Sequence, residues 1–187
     1  MSLKPRLEFQ AIGVAVVEGE YTRLHSLHVE GVRRDPGESV ESLMARVHST
    51  LHISEEIRVK KRISDSHVSE FLKSRRPYVC PDIEVQKRFP NDSAFLAAGI
   101  RSYICLPLVK HGELIGAITF LSFYKQAFTD DDVQLLQDLS EIVSIAVYNA
   151  LAYEQIRELR DQLQAENRVL QDEIVQNSIF EEIVGSS

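Results

Sequence analysis

GIRSYICLPLVKHGELIGAITF, residues 99–120, is the stretch of sequence that decides the fold. Two apolar runs flank the KHG triplet at 110–112, and a glycine there permits the positive φ that a tight hairpin turn requires. Both faces of the runs are largely apolar, as the neighbours Tyr103 and Ile104 already show. Strands that are apolar on both faces are covered on both faces. The stretch therefore predicts a β-hairpin at the centre of a sheet.

Shorter patterns on the amino side of this hairpin predict further strands and helices. Gly19-Glu20 separates two runs rich in β-branched residues, which is typical of a β-hairpin. Apolar residues at helical spacing indicate an amphipathic helix over 39–51, and an apolar face opposite charged residues indicates an edge strand over 57–63. The remaining predicted elements are a short helix within 64–76 that Pro77 stops, a strand within 78–83 and a helical turn at 93–98.

A long helix is predicted to begin after Thr129, which is a good N-cap ahead of three aspartates. No proline or glycine follows until Gly185. A helix over 130–176 would be about 70 Å long, which is more than a small domain needs. We therefore expect its two parts to have different roles. In the first part, the residues expected to pack on the sheet are Val133, Leu136, Leu139, Val143 and Ala146.

The second part of this helix carries the pattern of a coiled coil. Its apolar positions step by three and four residues with one irregularity, and the residues around them are mostly charged or amide side chains. A monomer has no core against which such a face can be buried, so we expect a homodimer through this helix. Asn167 would hold the register of the pair at some cost in stability. The predicted seam residues are Ile156, Leu159, Leu163, Asn167, Leu170 and Ile174.

Composition and charge exclude several classes of function. The chain of 187 residues has a net charge of −7, and the 13 acidic residues from Thr129 onward are balanced by only three arginines. An acidic tail argues against direct DNA binding, which needs clustered Lys and Arg. No apolar run is long enough to span a membrane, and the chain does not open with a signal peptide. With only two cysteines, Cys80 and Cys105, we expect no disulfide framework and a reducing cytoplasm.

Four segments together resemble a GAF domain, a small-molecule sensor module of signalling proteins. They are FLKSRRPYVCPDI, the stretch containing FPNDSAF, residues 99–120, and FTDDDVQLLQDLSEIVSIAVYNALAYEQI. The resemblance covers residues 9–155 and is most specific at 99–120. It implies an α+β fold with a central antiparallel β-sheet of five or six strands and helices on both faces, followed by the long coiled-coil helix. Many such domains begin with a helix ahead of the first strand, and that helix has little room before Phe9.

The end of the chain has a resemblance of its own. LRDQLQAENRVLQDEI and FEEIVGSS are similar to the linker that enters the AAA+ ATPase of sigma-54-dependent transcriptional activators of the formate-hydrogenlyase-activator type, with an ordinary C-terminal helix as the alternative. The positions that match the entry motif are Phe180, Ile183, Val184, Gly185 and Ser187. The chain holds no GxxxxGK[ST] loop, so we expect it not to hydrolyse ATP. The expected organisation is an N-terminal segment over 1–8, a GAF sensor domain over 9–150, and a coiled-coil signalling helix with its linker over 151–187.

The resemblance also implies a ligand pocket between the sheet and the segments that cover it, here 68–72, 78–82 and 89–101. Aromatic walls with a few polar groups suit a small-ligand site, although the same rings could simply fill the core. Arg101, at the mouth of the hairpin, is the arginine expected to contact a carboxylate or phosphate. The candidate ligand-binding residues are Phe71, Tyr78, Asp82, Phe95, Arg101 and Tyr103.

Other reactive groups fit structural roles better. His48 and His52 share one helix face, but a zinc site needs three or four ligands and no second cluster is present. Cys80 and Cys105 lie in apolar strands, which favours core packing over metal binding or redox sensing. Nine of the 21 basic residues lie within 58–88. The ordinary interpretation is a solvated surface, and the more specific one is that these residues attract an anionic ligand. We therefore predict no metal, no cofactor and no catalytic residue.

The leading hypothesis is a ligand-sensing regulatory domain of a sigma-54-dependent activator, which transmits small-molecule binding through a dimeric helix to an ATPase. The alternatives are the GAF sensor of a histidine kinase or cyclic-nucleotide signalling protein, and a ligand-free dimerisation scaffold. Methionine sulfoxide reductases of this family use cysteines in the covering loop, and FPNDSAFLAAG at 89–99 has none. The expected partners are a small-molecule ligand, with an anion as one candidate, and a second copy of the chain.

Overall fold

The computed structural model describes residues 9–30, 42 and 60–185. Of the helix predicted over 39–51, Ser42 alone is described, and it is helical. The pair His48 and His52 lies outside the described residues. The chain divides into two compact units, Met1–Ile145 and Ala146–Ser187, which are treated separately below.

Six strands form one sheet in which every neighbouring pair is antiparallel. They are β1 (Ala11–Glu18), β2 (Tyr21–Val29), β3 (Lys60–Arg62), β4 (Tyr78–Cys80), β5 (Ser102–Lys110) and β6 (Glu113–Ser122). Their order across the sheet is β3-β2-β1-β6-β5-β4. The predicted hairpin is confirmed as β5 and β6, joined by His111 and Gly112 with φ of 51° and 81°. Two successive positive φ values belong to a type I′ turn, whose twist matches that of the strands.

The positions of prolines and turn residues in the sequence limit where the helices of the described residues begin and end. They are a 3₁₀ turn (Ile63–Asp65), α1 (Val68–Ser74), α2 (Pro90–Ala97) and α3 (Asp130–Gly185). α1 ends where Arg75 adopts a left-handed φ of 49°, two residues before Pro77 excludes further helix. α2 begins earlier than the turn predicted at 93–98, because Pro90 fills its first position, where a missing N–H costs nothing.

The α+β class and the helices on both faces of the sheet are confirmed. On one face, Phe71 of α1, Phe95 of α2 and Tyr103 of β5 belong to a single buried apolar cluster. On the other face, α3 meets β5 at a β-bulge between Leu108 and Val109. The residue that the bulge leaves without a partner is Ile115 of β6, and the Val109 N–H beside it donates to the Ser144 hydroxyl at 3.2 Å.

The start of α3 follows the predicted capping pattern. The Thr129 N–H and hydroxyl both donate to Asp132 Oδ2, at 2.9 and 2.7 Å, and the Asp132 N–H lies 3.3 Å from Thr129 Oγ1. Each residue thus satisfies a polar group of the other that the first helical turn would leave unpaired. Thr129 is therefore confirmed as the N-cap of α3.

The prediction for the sheet-facing side of α3 is only partly right. Leu136 is buried and Val133 and Val143 are half-buried, but Leu139 is 43% exposed and Ala146 is also exposed. The buried positions instead step by four residues, which on an α-helix makes a slowly turning stripe. This stripe consists of Asp132, Leu136, Ser140 and Ser144. Small serine side chains bring α3 close to the sheet, and the apolar residues beside the stripe are left in solvent.

In the second unit, α3 continues as helix to Gly185. The apolar seam residues are between 54% and 67% exposed, namely Ile156, Leu159, Leu163, Leu170 and Ile174. Asn167 is exposed as well. Pairing through this seam stays a prediction. Among the described residues, no helix has both the length and the apolar character that crossing a bilayer demands.

One glycine of the sheet is required by close approach of two strands. Gly116 of β6 lies opposite Val16 of β1, and a Cβ at Gly116 would collide with the Ala15 carbonyl oxygen. Gly13, in the same sheet, has room, since a Cβ there would sit in ordinary contact with Leu24 at 3.7 Å.

We expect Gly116→Ala to destabilise the fold by about 1–3 kcal/mol, because the extra methyl must push β1 away from β6. The measurement is the free energy of unfolding from urea denaturation followed by circular dichroism. Gly13→Ala is the matched control and should change stability by less than about 1 kcal/mol. Equal effects of the two substitutions would contradict the close approach of the strands.

Candidate functional site

The carboxylate of Asp92 is the centre of a buried polar network. Asp92 is fully buried, in the first turn of α2. Its Oδ2 accepts the backbone N–H groups of Arg88 and Phe89 at 2.7 and 2.8 Å, as a carboxylate at a helix N-terminus is expected to do. Its Oδ1 accepts the Tyr103 hydroxyl at 3.0 Å and lies 3.4 Å from His67 Nε2. Both oxygens are therefore occupied.

Aromatic rings enclose the His67 side of this network. The imidazole of His67 stacks on Phe95 with ring centroids 5.7 Å apart, and meets Phe89 and Tyr103 edge-on at 4.6 and 4.7 Å. Tyr78 packs in turn against Phe89 at 5.3 Å. We name this group the Asp92 cluster; its members are His67, Tyr78, Phe89, Asp92, Phe95 and Tyr103.

Burial and hydrogen bonding set the protonation of the cluster. Burial lowers the pKa of His67 below its usual value, and the nearby Asp92 only partly opposes this, so the imidazole is neutral at pH 7. Burial alone would raise the pKa of Asp92, but hydrogen bonds from His67, Phe89 and Arg88 outweigh it and leave the pKa lowered. Burial also raises the pKa of the Tyr103 hydroxyl, which stays protonated. Asp92 is thus a buried anion held by neutral donors.

These charges assign the His67 tautomer. An ionised carboxylate accepts only, so the ring proton is assigned to Nε2, facing Asp92, and Nδ1 carries a bare lone pair. Among the residues that the structure describes, no donor reaches that Nδ1. A buried acceptor without a donor is uncommon in folded proteins. His67 Nδ1 is therefore a buried acceptor within an aromatic enclosure, and binding of a ligand there stays a prediction.

The structure brings together four of the six candidate ligand-binding residues from the sequence. Phe71, Tyr78, Phe95 and Tyr103 all belong to, or pack against, the same core cluster. Their rings come from α1, β4, α2 and β5, respectively. The aromatic part of the predicted pocket is thus one contiguous group, and its binding of a ligand stays a prediction.

The two charged candidates, Asp82 and Arg101, lie in a surface network instead. Lys125 pairs with Asp82 at 3.0 Å, and Glu84 lies 4.0 Å from the guanidinium of Arg101. Arg101 also donates to the carbonyl of Leu96 at 3.2 Å, near the end of α2. The Leu96 carbonyl also accepts the Gly99 N–H at 3.0 Å, so the guanidinium is a second donor to this carbonyl at the end of α2.

Sequence reasoning missed His67 and Asp92, the polar core of the cluster. Asp92 carried a usable signal, because a proline at 90 followed two residues later by an acid is typical of a helix start. His67 carried none, since it lies 25 residues from Asp92 and only the folded chain brings them together.

The two cysteines are core residues, as predicted. Cys80 and Cys105 are free thiols and both are buried. Burial raises the pKa of Cys80 to about 11 and that of Cys105 to about 12, so neither forms a reactive thiolate at neutral pH. Within the described part of the chain, no group of three or more His, Cys, Asp or Glu side chains is placed to hold a metal ion.

The architecture is an α+β domain in which a six-stranded antiparallel sheet carries a buried polar cluster under short helices on one face and a long helix on the other. The GAF domain family model matches residues 10–147. The chain belongs to the GAF domain family.

Individual proteins resemble this chain either in sequence or in fold. The chain is 35% identical over 89 residues to the formate hydrogenlyase transcriptional activator FhlA of Escherichia coli, a match that covers 47% of this chain and 13% of that protein. The GAF domain of a two-component sensor histidine kinase from Bacillus halodurans superposes with a TM-score of 0.57 at 13% identity, over 78% of this chain and 86% of that one. A type II free methionine-R-sulfoxide reductase from Thermoplasma acidophilum superposes with a TM-score of 0.55 at 18% identity, over 75% of this chain and 80% of that one. At such identities the two structures show the fold alone.

The lowered pKa of His67 predicts a pH dependence of stability. Because the folded-state pKa lies below the unfolded value of 6.5, the unfolded chain binds more protons as the solution is acidified. The contribution to stability is fully present above pH 6.5 and is lost as pH falls through the folded pKa. We expect the free energy of unfolding to drop between pH 7.5 and 5.5, with a slope of at most about 1.4 kcal/mol per pH unit from this group.

The measurement is urea denaturation at several pH values. His67→Gln keeps an N–H donor for Asp92 but does not titrate, so its profile should be flatter over this window. His28→Gln, at an exposed position of β2, is the control and should keep the slope. An unchanged slope in His67→Gln would refute the assignment.

Proposed function

We propose that this chain is the ligand-sensing regulatory domain of a bacterial, cytoplasmic sigma-54-dependent transcriptional activator, which transmits small-molecule binding through a dimeric helix to an ATPase. Membership of the GAF family and the 35% identity to a formate hydrogenlyase transcriptional activator support the regulatory class. The observation that carries the ligand-binding role is the ionised Asp92, fully buried among aromatic rings.

The buried carboxylate of the Asp92 cluster has a high cost in free energy for a protein core. Removing a carboxylate from water costs several kcal/mol, and well-packed apolar residues of the same volume would be at least as stable. A scaffold that only dimerises needs no such group on the face away from α3. Strongly perturbed titratable groups among aromatic walls are instead common where proteins bind small molecules.

Two other functions receive less support. The likeness to a histidine kinase sensor concerns the fold, whereas the sequence relatives over part of the chain are transcriptional activators. A sulfoxide reductase of this fold would need a reactive thiolate. Cys80 and Cys105 are buried with raised pKa values, and 89–99 holds no cysteine.

The exposed apolar residues of α3 support a second copy of the chain as its partner. Within the first unit these residues are Leu135, Leu139, Ile142 and Ile145, between 43% and 68% exposed. Within the second unit the predicted seam is exposed to a similar degree. Identical chains that meet on the same helical face bury each other's apolar residues around a two-fold axis.

We expect at least one small molecule to raise the melting temperature of the chain in a thermal-shift screen of organic acids, aromatic compounds and cyclic nucleotides. At 100 times its dissociation constant a ligand adds about 2.7 kcal/mol, or roughly 5–10 °C for a chain of this size. Tyr103→Phe removes one hydroxyl of the Asp92 cluster and should reduce the shift. Tyr124→Phe, at a 58% exposed position, is the control. A screen without any hit would favour the ligand-free scaffold.

We expect the chain to be a dimer that Leu163→Asp weakens at least about 100-fold, because a carboxylate buried in the seam costs several kcal/mol. Sedimentation equilibrium measures the dissociation constant. Gln164→Asp adds the same charge at the neighbouring position, outside the seam, and should have little effect. A chain that is monomeric at high micromolar concentration would contradict dimerisation through α3.

A further inference from the structure

A cleft of about 350 Å³ lies between β3, at the edge of the sheet, and the start of α2. This volume lies in the range that small-molecule sites occupy. The residues that line it are Tyr21, Lys60, Lys61, Arg62, Asp65, Pro90 and Asn91. We name it the β3 cleft.

The residues that line the β3 cleft carry more positive than negative charge. Lys60, Lys61 and Arg62 supply three adjacent cations, against the single carboxylate of Asp65. Lys60 also pairs with Glu18, outside the lining residues, at 3.4 Å. Among the residues that the structure describes, no carboxylate forms an ion pair with Arg62. Three lining cations against one lining carboxylate give the cleft a net positive charge, which favours an oxyanion.

The start of α2 adds neutral hydrogen-bonding groups to the cleft. The Lys61 ammonium donates to Asn91 Oδ1 at 2.6 Å, which fixes a cation at the rim. Asn91 is the second residue of α2, and the first turn of a helix carries partial positive charge. An anion in the cleft would therefore meet cations from β3 and the positive end of α2 together.

We propose that the β3 cleft binds a small, multiply charged oxyanion, either a phosphate ester or a dicarboxylate. The assignment deepens the proposed sensor function, because it treats this anion as the sensed molecule or part of it. It also moves the expected anion contact away from Arg101, whose guanidinium already serves Glu84 and the end of α2.

The cleft is adjacent to the Asp92 cluster. Asn91 faces the cleft, and the next residue, Asp92, holds His67 and Tyr103. After burial and Asp92 itself, the charge of Lys61 also influences the pKa of His67, which it lowers. An anion that draws Lys61 away from Asn91 thus acts one residue from the buried carboxylate.

The test is isothermal titration of the chain with inorganic phosphate, succinate and acetate at constant ionic strength. We expect phosphate or succinate to bind and acetate to bind at least 10-fold more weakly. The double variant Lys60→Gln/Arg62→Gln should lose at least 10-fold in affinity for the bound dianion. Lys87→Gln/Lys110→Gln removes the same charge away from the cleft and should keep the affinity. Phosphate binding alone identifies a phosphate ester, and succinate binding alone a dicarboxylate.

Three results would overturn the proposal: no binding of either dianion, acetate binding as tight as dianion binding, or equal affinity in the cleft variant and the parent chain. Unchanged melting temperature and circular dichroism of the variants establish that they fold. None of these results bears on dimerisation. If the thermal-shift screen finds a neutral ligand, the sensor function is supported even when the β3 cleft binds no anion.

Discussion

The buried carboxylate of Asp92 is the interaction on which the α1–α2 side of this fold depends. It draws donors from three segments that are distant in sequence: the residue before α1, the residues before α2, and β5. Removing this charge from water is offset only when every donor is in place. A shift of α1 or β5 relative to α2 would leave an anion unpaired in the core. The network therefore matters mainly because it allows only one arrangement of these elements. Its contribution to the free energy of unfolding is secondary.

Local chemistry explains which parts of this structure are predictable from sequence. The β5–β6 hairpin, the end of α1 before Pro77 and the Thr129 cap each depend on residues within a few positions of one another. The Asp92–His67 pair spans 25 residues and has no periodicity to reveal it. The contacts of Arg101 depend on the folded chain in the same way. Its guanidinium lies 4.0 Å from Glu84 and donates to the carbonyl of Leu96 at 3.2 Å, and its binding of an anion stays a prediction.

The long helix shows how packing distance can override hydrophobicity. A prediction from apolar spacing puts Leu139 against the sheet, yet Ser140 and Ser144 are buried and Leu139 is exposed. The Val109 N–H of β5, beside the bulge that Ile115 makes in β6, donates to the Ser144 hydroxyl at 3.2 Å, and this contact requires a small polar side chain of α3 close to the sheet. The leucines and isoleucines displaced from the sheet then form an apolar face without cover in the single chain. Such a face is a liability unless a partner buries it.

The first turn of α2 adjoins both the β3 cleft and the buried Asp92 network. Asn91 lines the β3 cleft and Asp92 anchors the buried network, so two successive residues of one short helix belong to two different environments. Asp92 is fixed by four contacts and cannot follow a movement of Asn91 unless the whole turn moves. A rigid turn with a polar contact at each end can transmit a displacement, but coupling between sites requires an element with two arrangements. The four contacts of Asp92 specify one arrangement, so coupling to the β3 cleft would require α2 to shift together with the donors that hold Asp92.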